Sequence, residues 1–387
     1  MVVNRKCPVC RSDVKEVLYT LNFGLEEDFP LPEKNEIVCC KKCGFVFADN
    51  NATQNDYDLY YSKFNDYSES MDVKSQSNKS YKIMLDVIKK YFNCSDSVID
   101  IGCGSGELLK LMKNEGYTDL TALDPSEVSI KQLRNIGIKG KVQSIFDKCS
   151  EIDSSSYDVI LSTSVAEHIF DLNGYINCLK QYLSSDGCIF IMVPDVLDFK
   201  SHKYDLSNYF NQEHINYFSM ISLDNIMMQL GMKQVCDYSD RYAYDINGER
   251  MLFGIYCVTQ EERNIVFDYE SQKSVSALLS DSINSFDVLD ELGEEEFILW
   301  GTGSLATRLI GEYPEIVDRI AFCVDNNKMK TGRSFSGKQV FSPDYLIDNS
   351  DKYPILICSI MNSDAIKQQI KAMNLLNKVV VLEKKIF

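Results

Sequence analysis

The chain has 387 residues, of which 45% are hydrophobic and 25% charged, enough for two or three globular domains and too much for a single small binding module. Its 40 basic and 57 acidic residues give a net charge of −17, which excludes a broad nucleic-acid surface because phosphates would be repelled. No apolar run approaches the roughly 20 residues that cross a bilayer, and residues 1–7 lack a signal core. We therefore expect a cytoplasmic protein that binds neither nucleic acid nor membrane.

Two C-x-x-C pairs come first along the chain, and each can bring two thiolates to one tetrahedral ion from a tight turn. The four ligands would be Cys7, Cys10, Cys40 and Cys43. Four thiolates leave no open position for water, so the pattern predicts a structural Zn²⁺ in an N-terminal module. Cys39 is the spare thiol, because C-x-x-C-G fits a knuckle turn. A reduced or redox-active thiol cluster is the alternative.

The remaining cysteines lie singly in apolar or strand-like stretches. Examples are Cys188 in GCIFIMV, Cys257 in IYCV and Cys358 in ILICSI. Single cysteines in such surroundings are typical of buried, reduced thiols, so we expect no disulfides among them.

A polar, tyrosine-rich stretch over residues 51–80 predicts a linker, and the apolar spacing over 80–91 predicts the helix that opens a new domain. Composition changes again after residue 260, where an acidic stretch precedes another strand-like segment. These changes predict three parts: a zinc-binding module over 1–70, a central domain over 71–260 and a C-terminal domain over 261–387.

The central domain begins with a short apolar strand that turns into a helix through a D-x-G-x-G-x-G loop. The loop contains Asp100, Gly102, Gly104 and Gly106, and a second strand ends about 20 residues later in Asp124. Such a turn lets a ligand lie against bare backbone, which suits S-adenosylmethionine and dinucleotides alike. The spacing favours S-adenosylmethionine, since no pyrophosphate need be accommodated. A dinucleotide-binding fold is the alternative.

Later strand-like segments alternate with helical ones as in a parallel sheet: 157–164, 188–195, 233–238 and 251–258. Over about residues 80–260 the sequence resembles a class I methyltransferase domain, an α/β Rossmann-like fold. That resemblance implies that the last two strands form a closing antiparallel pair. It also implies that the glycine loop holds the methionine end of the cofactor, that Asp124 binds the ribose, and that the turn containing Ser144 and Ile145 borders the adenine.

The sequence has three histidines, and histidine is the usual general base near neutral pH. Glu167-His168 follows a predicted strand at the carboxyl edge of the sheet, where ligands bind in open α/β folds. Glu213-His214 lies in an aromatic, amide-rich stretch. Either pair can deprotonate a methyl acceptor, with the carboxylate orienting the imidazole. We favour His214 as the base, whereas His168 is either catalytic or structural. His202 lies in a polar run that predicts a surface loop.

These features extend the resemblance to the whole chain. Paired cysteines followed by G-F-V-F, the methyltransferase core, an E-H-x-x-Y-F-S motif and a second Rossmann-like half together resemble sugar C-methyltransferases that act on nucleotide-linked keto-deoxysugars. The resemblance implies that His214 removes the proton next to the ketone, that Glu213 is its neighbour or a substrate ligand, and that Tyr217 lines the site. Family members often have tyrosine two residues before the glutamate, where this chain has Asn211.

The tyrosines before the central domain have two interpretations. By the same resemblance, Tyr60, Tyr61 or Tyr67 folds over the substrate pocket. Alternatively, these rings line the zinc module.

The C-terminal domain repeats the strand, glycine turn and helix plan over 297–306, and Asp325 follows about 20 residues later. G-x-G-x-x-A with a later acid is a dinucleotide fingerprint. We favour a Rossmann-like fold without a second cofactor, which supports the substrate's nucleotide or a domain interface. Four cations suit a diphosphate or belong to solvated loops: Arg308, Lys330, Arg333 and Lys338.

The sequence thus predicts an α/β enzyme that uses S-adenosylmethionine and structural Zn²⁺ to C-methylate a small molecule, a nucleotide-linked sugar. O- or N-methylation of a saccharide or another small acceptor is the nearest alternative. A noncatalytic sugar-nucleotide binding protein is a third, although a pure binder has no need of the intact glycine loop and Asp124.

Overall fold

A computed structural model describes residues 5–26, 28–63, 74–147, 156–199, 209–244, 248–261, 263–282, 288–349, 353–360 and 362–382. The chain divides into two compact units. The first comprises Met1–Glu16, Val38–Ser201 and Glu213–Val275, and the second comprises Val17–Ile37, His202–Gln212 and Ser276–Phe387. His202 and Tyr67 lie outside the described residues. The three-part division at residues 70 and 260 stays a prediction.

The N-terminal part of the chain forms three strands and one helix. They are β1 (Lys15–Asn22), β2 (Lys34–Cys40), β3 (Val46–Asp49) and α1 (Gln54–Lys63). Helix α1 falls inside the predicted linker, which is therefore wrong as a description of residues 54–63. Its sequence carries no clear apolar stripe, and without that stripe periodicity gives no helix signal.

The central part alternates strands and helices. The elements are α2 (Lys74–Tyr91), β4 (Val98–Ile101), α3 (Glu107–Asn114), β5 (Leu120–Asp124), α4 (Glu127–Asn135), β6 (Lys139–Val142), β7 (Tyr157–Thr163), α5 (Leu172–Tyr182), β8 (Leu183–Pro194), β9 (Asn216–Tyr217), α6 (Met220–Gln229), β10 (Met232–Gln234), β11 (Tyr242–Tyr244) and β12 (Arg250–Val258). Helix α2 begins six residues before the predicted start at Ser80, because the turns before Tyr81 are polar and show no apolar period.

The central strands form one sheet in the order β10-β12-β8-β7-β4-β5-β6, with β11 beside β12. Strands β4 to β8 pair in parallel, while β12 runs antiparallel to β8 and to β10. The predicted closing antiparallel strands are thus present. Because β4 has β5 on one side and β7 on the other, the connections diverge there, and ligands bind at such a switch point beyond the carboxyl ends of the strands.

Alternating side chains of the sheet bury two separate cores. Val98, Val159 and Leu161 face helices α2, α3 and α4. Ile99 and Ile160 face α5, α6 and the cysteine-rich N-terminal segment. Burial on both faces explains why these strands are continuously apolar and readable from the sequence. The smaller sheet of the N-terminal strands has the order β1-β2-β3-β9, and β9 pairs antiparallel with β3.

One cysteine prediction is wrong. Cys188 and Cys257 are joined in a disulfide rather than being free thiols. They are directly opposite each other in the antiparallel pair β8 and β12, a register that sequence spacing alone does not reveal. Cys358 is buried, as predicted.

The C-terminal part is a second α/β unit with a mostly parallel sheet. Its elements are α7 (Tyr269–Ser282), α8 (Val288–Glu291), β13 (Phe297–Trp300), α9 (Ser304–Glu312), β14 (Ile320–Val324), β15 (Ser334–Phe335), β16 (Lys338–Phe341), α10 (Leu346–Asn349), β17 (Ile355–Ile357), α11 (Ser363–Ala372) and β18 (Val379–Val381). The sheet order is β15-β16-β14-β13-β17-β18, with β13 at the switch point. This order confirms the predicted Rossmann-like plan. None of the helices in the described parts of the chain combines the length and apolar character that a bilayer crossing requires.

Candidate active site

The glycine turn lies at the carboxyl end of β4, at the switch point of the central sheet. All three glycines have positive φ, at +73° for Gly102, +51° for Gly104 and +70° for Gly106. A Cβ on Gly102 would lie 2.7 Å from Val165, and one on Gly106 would lie 2.4 Å from Leu133. Both positions therefore require glycine for packing as well as for backbone conformation.

Gly104 differs, because a Cβ there would have no atom within 4 Å. The middle of the turn thus faces open space, at the N-terminal end of helix α3. Bare backbone beside an open volume is what a ligand needs to approach the chain closely. The residues present fit the methionine end of S-adenosylmethionine.

The acid after the next strand holds this turn in place. The Asp124 carboxylate accepts hydrogen bonds from the backbone N–H groups of Gly104, at 2.8 Å, and of Ser126, at 2.8 Å. Burial raises the pKa of Asp124, and these two N–H bonds oppose that rise. The N–H of Gln143 donates to the Asp124 carbonyl at 3.2 Å, so the predicted adenine-bordering turn, with Ser144 and Ile145, starts beside this acid.

Asp100 is the second carboxylate of the turn and is 2% exposed. Its Oδ1 atom has no hydrogen-bond partner among the described residues. Burial, with a smaller contribution from the charge of Asp124, raises the pKa of Asp100 to about 7. A buried carboxylate with an orphaned oxygen gains most from a cationic ligand. This charge requirement also fits a sulfonium-bearing cofactor.

The structure brings His168 and His214 together, although they are far apart in the sequence. Their rings meet edge to face with centroids 4.6 Å apart. The Nδ1 atom of His168 lies 3.1 Å from the carbonyl oxygen of Glu213, and its Nε2 atom lies 3.8 Å from Glu167 Oε1. The two Glu-His pairs thus form one cluster, beyond the carboxyl end of β7.

Burial dominates the electrostatics of this cluster. It lowers the pKa of His168 to about 4, and it lowers that of His214, with a further contribution from His168. It also raises the pKa of Glu167 to about 8. Both imidazoles are therefore neutral near pH 7, and each has a lone pair that can accept a proton or bind a metal ion.

Tyrosines complete the wall of this cluster. The Tyr60 hydroxyl donates to Glu213 Oε1 at 2.7 Å, and the Tyr61 ring lies 5.8 Å from that of His168. Tyr217 instead donates its hydroxyl to the carbonyl of His214 at 2.8 Å, which fixes the backbone of the motif. Of the predicted tyrosines, Tyr60 and Tyr61 thus reach the two Glu-His pairs.

Sequence reasoning missed the residues that hold the two histidine-bearing segments together. Arg5 is 4% exposed, and its guanidinium donates to the carbonyls of Ile169 and Phe170 in one segment and of Ile215 in the other. The Asn216 amide donates to the carbonyls of Ala166 and Ile169. Asn216 lies two residues after His214 within the E-H-x-x-Y-F-S motif, and this position is a sequence signal for it. No local pattern marks Arg5.

The four predicted zinc ligands also come together. Cys7 Sγ lies 3.5 Å from Cys43 Sγ, and Cys10 Sγ lies 3.4 Å from Cys40 Sγ. All four sulfur atoms lie within 4.8 Å of one another. Sulfur atoms around one tetrahedral zinc ion, each at about 2.3 Å, would be about 3.8 Å apart, so this arrangement fits the ion. Cys39 points elsewhere, with its Sγ 3.5 Å from the Gly44 carbonyl.

In the second glycine turn, at the end of β13, the acid has side-chain partners as well as backbone ones. Asp325 accepts hydrogen bonds from the Thr302 hydroxyl at 2.7 Å and backbone N–H at 2.9 Å, and Lys330 lies 3.4 Å away. Arg308 is buried rather than on a solvated loop. Of the predicted diphosphate-binding cations, Lys330 thus already pairs with an acid.

The strand order, the glycine turn and the acid after the next strand define a Rossmann-like α/β domain with a candidate cofactor site at its switch point. Residues 75–236 match the family model described as a methyltransferase domain. The central part of the chain is therefore a methyltransferase domain of the class I fold, as predicted.

Two curated relatives each match about a quarter of the chain. A ubiquinone biosynthesis O-methyltransferase from Neisseria meningitidis is 26% identical over 103 residues, or 25% of this chain and 43% of the relative. The human eEF1A lysine and N-terminal methyltransferase is 30% identical over 94 residues, or 23% of this chain and 13% of the relative. The matched part is less than half of either relative's length.

Solved structures are similar over about half of the chain. One is the 1,6-didemethyltoxoflavin-N1-methyltransferase of Burkholderia thailandensis with bound S-adenosylhomocysteine, at 14% identity and a TM-score of 0.43, covering 57% of this chain and 97% of that one. Another is the PH0226 protein from Pyrococcus horikoshii, at 17% identity and a TM-score of 0.39, covering 52% and 99%.

Proposed function

We propose that this protein is an S-adenosylmethionine-dependent methyltransferase that methylates a carbon atom of a nucleotide-linked keto-deoxysugar. The observation that carries the proposal is the cluster of Glu213, His214 and His168, with Tyr60 bound to Glu213. A carbon next to a ketone needs a base to lose its proton, and neutral imidazoles held beside carboxylates suit that task. The resemblance in the E-H-x-x-Y-F-S motif supplies the substrate class.

In this mechanism His214 accepts the α-proton of the keto sugar, and the electron pair moves onto the ketone oxygen to give an enolate. Tyr60 holds the Glu213 carboxylate, which orients a substrate hydroxyl or the developing imidazolium. When bound along Gly102–Gly106 and Asp124, S-adenosylmethionine supplies an electrophilic methyl group. Positioning of the enolate carbon near that group provides much of the acceleration.

Proton exchange in heavy water tests this proposal directly. The enzyme incubated with a keto-sugar nucleotide should exchange the α-proton, and His214→Asn should slow both exchange and methyl transfer by about 10²–10⁴-fold. His202→Asn is the matched control and should retain activity. Methyl transfer without exchange, or exchange that persists in His214→Asn, contradicts the proposal.

The pH profile gives a second test. Because burial lowers the pKa of His214, the acidic limb of kcat/KM should lie below the ordinary histidine value of 6.5. Activity should therefore persist at pH 6, and it should fall only at more acidic pH as His214 becomes protonated. A limb above 6.5 would contradict the assignment of the base.

O- or N-methylation of a saccharide or another small acceptor is the second candidate. It is favoured by Asn211, which stands where C-methylating family members often have tyrosine, and one of the curated relatives is an O-methyltransferase. On this alternative His168 or His214 deprotonates a hydroxyl. Mass spectrometry of an acceptor panel with labelled cofactor distinguishes the two, since the label then lies on oxygen or nitrogen.

We also propose that Cys7, Cys10, Cys40 and Cys43 hold one structural Zn²⁺. The spacing of the four sulfur atoms supports it, and so does the burial of Cys7, Cys40 and Cys43. Metal analysis should find one zinc ion per chain, lost in Cys40→Ser and retained in the matched control Cys39→Ser. Full zinc content in Cys40→Ser would overturn the ligand set.

A further inference from the structure

Glu167 carries a carboxylate that the proposed reaction does not use. Its side chain is 3% exposed, and its Oε2 atom has no hydrogen-bond partner among the described residues. Among the described side chains, the imidazole of His168 lies beside this carboxylate, with His168 Nε2 3.8 Å from Glu167 Oε1. Burying a carboxylate without full compensation is costly, so this group either holds a proton or binds a cation.

The hydrogen bond of His168 Nδ1 to a backbone carbonyl turns the other ring nitrogen, Nε2, toward the Glu167 carboxylate. Nδ1 lies 3.1 Å from the Glu213 carbonyl, and a carbonyl can only accept, so Nδ1 carries the proton. The Nε2 lone pair is therefore left on the side of Glu167. A backbone carbonyl that binds one imidazole nitrogen and directs the other is the usual outer-shell partner of a metal-binding histidine.

His214 supplies a third donor. One nitrogen or oxygen atom from each of Glu167, His168 and His214 can be chosen so that all lie within 4.8 Å of one another. Ligands at about 2.0–2.2 Å from a shared ion lie about 3–4 Å apart, so closure needs shifts of about 1 Å. Two imidazoles with one carboxylate, and positions left for water, form a donor set that zinc and neighbouring divalent metals favour.

We propose that Glu167, His168 and His214 bind one divalent first-row transition-metal ion, and that this ion inhibits methyl transfer by occupying the lone pair of His214. The inhibitory part rests on the proposed function, in which His214 is the base. The step is a ligand exchange: three bonds to the metal form, metal-bound waters leave, the Glu167 carboxyl group releases its proton to solvent, and nothing is oxidised or reduced. The His168 side chain is 14% exposed, which gives the ion a way in.

This site differs in its ligands from the cysteine knuckle, which is the cluster of Cys7, Cys10, Cys40 and Cys43. Spectroscopy can therefore distinguish metal bound at the two sites. Cobalt(II) bound by nitrogen and oxygen gives ligand-field absorption alone, whereas cobalt bound by thiolates adds intense sulfur-to-metal charge-transfer bands. The probe is Co²⁺ added to the full chain after a mild chelator treatment that leaves one zinc ion in the knuckle.

The titration should show one bound Co²⁺ without charge-transfer bands. Glu167→Gln and His168→Asn should weaken Co²⁺ binding by at least about tenfold, while His202→Asn should leave it unchanged. Binding of S-adenosylhomocysteine by each variant verifies that the domain is folded. Absence of a ligand-field spectrum, or an unchanged spectrum in both variants, overturns the site.

Activity measurements separate this inference from the proposed function. Co²⁺ should inhibit methyl transfer over the concentration range in which the spectrum saturates, and a chelator should restore it. Full activity at saturating Co²⁺ overturns the inhibitory role. An enzyme that transfers no methyl group to any acceptor contradicts the proposed function instead, and the cobalt spectrum then still supports or overturns the metal site.

Discussion

The two glycine turns of this chain share one sequence plan but differ in their charge. In the methyltransferase domain, Asp124 accepts hydrogen bonds from two backbone N–H groups, and Asp100 is buried with one oxygen that has no hydrogen-bond partner in the described part of the chain. In the C-terminal unit, Asp325 binds Thr302 and also lies against the ammonium group of Lys330. The carboxylates of the first turn are thus available to a cationic ligand, whereas the carboxylate of the second turn is already paired with Lys330.

The pKa shifts of the two acids express the same difference. Burial raises the pKa of Asp124. Burial also acts on Asp325, but Lys330 and the hydrogen bonds from Asn327 and Thr302 outweigh it and lower that pKa. The strand, glycine and helix pattern therefore predicts a turn, whereas the partners of the acid indicate whether that turn suits a cationic ligand.

The largest difference between the turns is expected when a side chain is placed on each. Gly104→Val should weaken binding of S-adenosylhomocysteine by at least about 100-fold, because a branched side chain fills the open space and opposes the positive φ. Gly303→Val should leave the affinity for S-adenosylhomocysteine within about twofold. Valine adopts the φ of −100° found at Gly303 without backbone strain. Calorimetry measures both, and equal affinities would remove the distinction.

The second largest difference is expected when the acid of each turn, Asp124 or Asp325, is replaced by asparagine. On the proposed cofactor site, Asp124→Asn should lower the affinity for S-adenosylhomocysteine by about 10–100-fold, because this change would remove the charged acceptor for the ribose hydroxyls. Asp325→Asn should not change it. If Asp325→Asn weakens binding as much as Asp124→Asn, the second turn takes part in cofactor binding after all.

Asp100 should make the ligand-free protein less stable as pH rises. Its folded-state pKa is about 7, whereas a carboxyl group in the unfolded chain titrates near about 3.9. The folded state therefore binds the proton more tightly, and stability falls as pH rises between about 4 and 7. Asp100→Asn should remove this slope and stabilise the ligand-free protein at pH 8 by about 1–4 kcal/mol. Urea unfolding at pH 5 and pH 8 checks the sign.

Asp325 should show the opposite sign with a smaller effect. Its lowered pKa contributes stability above the unfolded-state pKa, and this contribution is lost as pH falls through the folded-state value. Asp325→Asn should cost about 1–2 kcal/mol at pH 7. Because the Lys330 side chain is 37% exposed, a double-mutant cycle with Lys330→Met should give a coupling of only about 0.5 kcal/mol.

Local patterns account for the parts of the molecule that could be predicted. The central strands are buried on both faces, so their apolar runs stand out, and the glycine turn is specified by residues adjacent in the chain. The cysteine pairs are equally local, because the two residues between paired cysteines set the turn that brings their sulfur atoms together. Spacing alone was sufficient for these features.

Contacts between distant segments could not be predicted in the same way. Tyr60 and Glu213 are 153 positions apart, Arg5 and Ile215 are 210 apart, and the disulfide joins residues 69 apart. Each depends on the register of strands and on loop paths that no short motif encodes. The resemblance pointed to a tyrosine near Glu213, but only the fold distinguishes Tyr60 from its neighbours.

Arg5 has a consequence for how this protein is handled. It stands two residues before the first knuckle cysteine, and its guanidinium binds both segments that carry the imidazoles. On the proposed zinc site, a chelator that removes the ion would loosen the hydrogen bonds of Arg5 to these two segments, and the Glu-His cluster would lose its arrangement before any substrate binds. On the same proposal, protein treated in this way should lose methyl transfer while it still binds S-adenosylhomocysteine at the glycine turn.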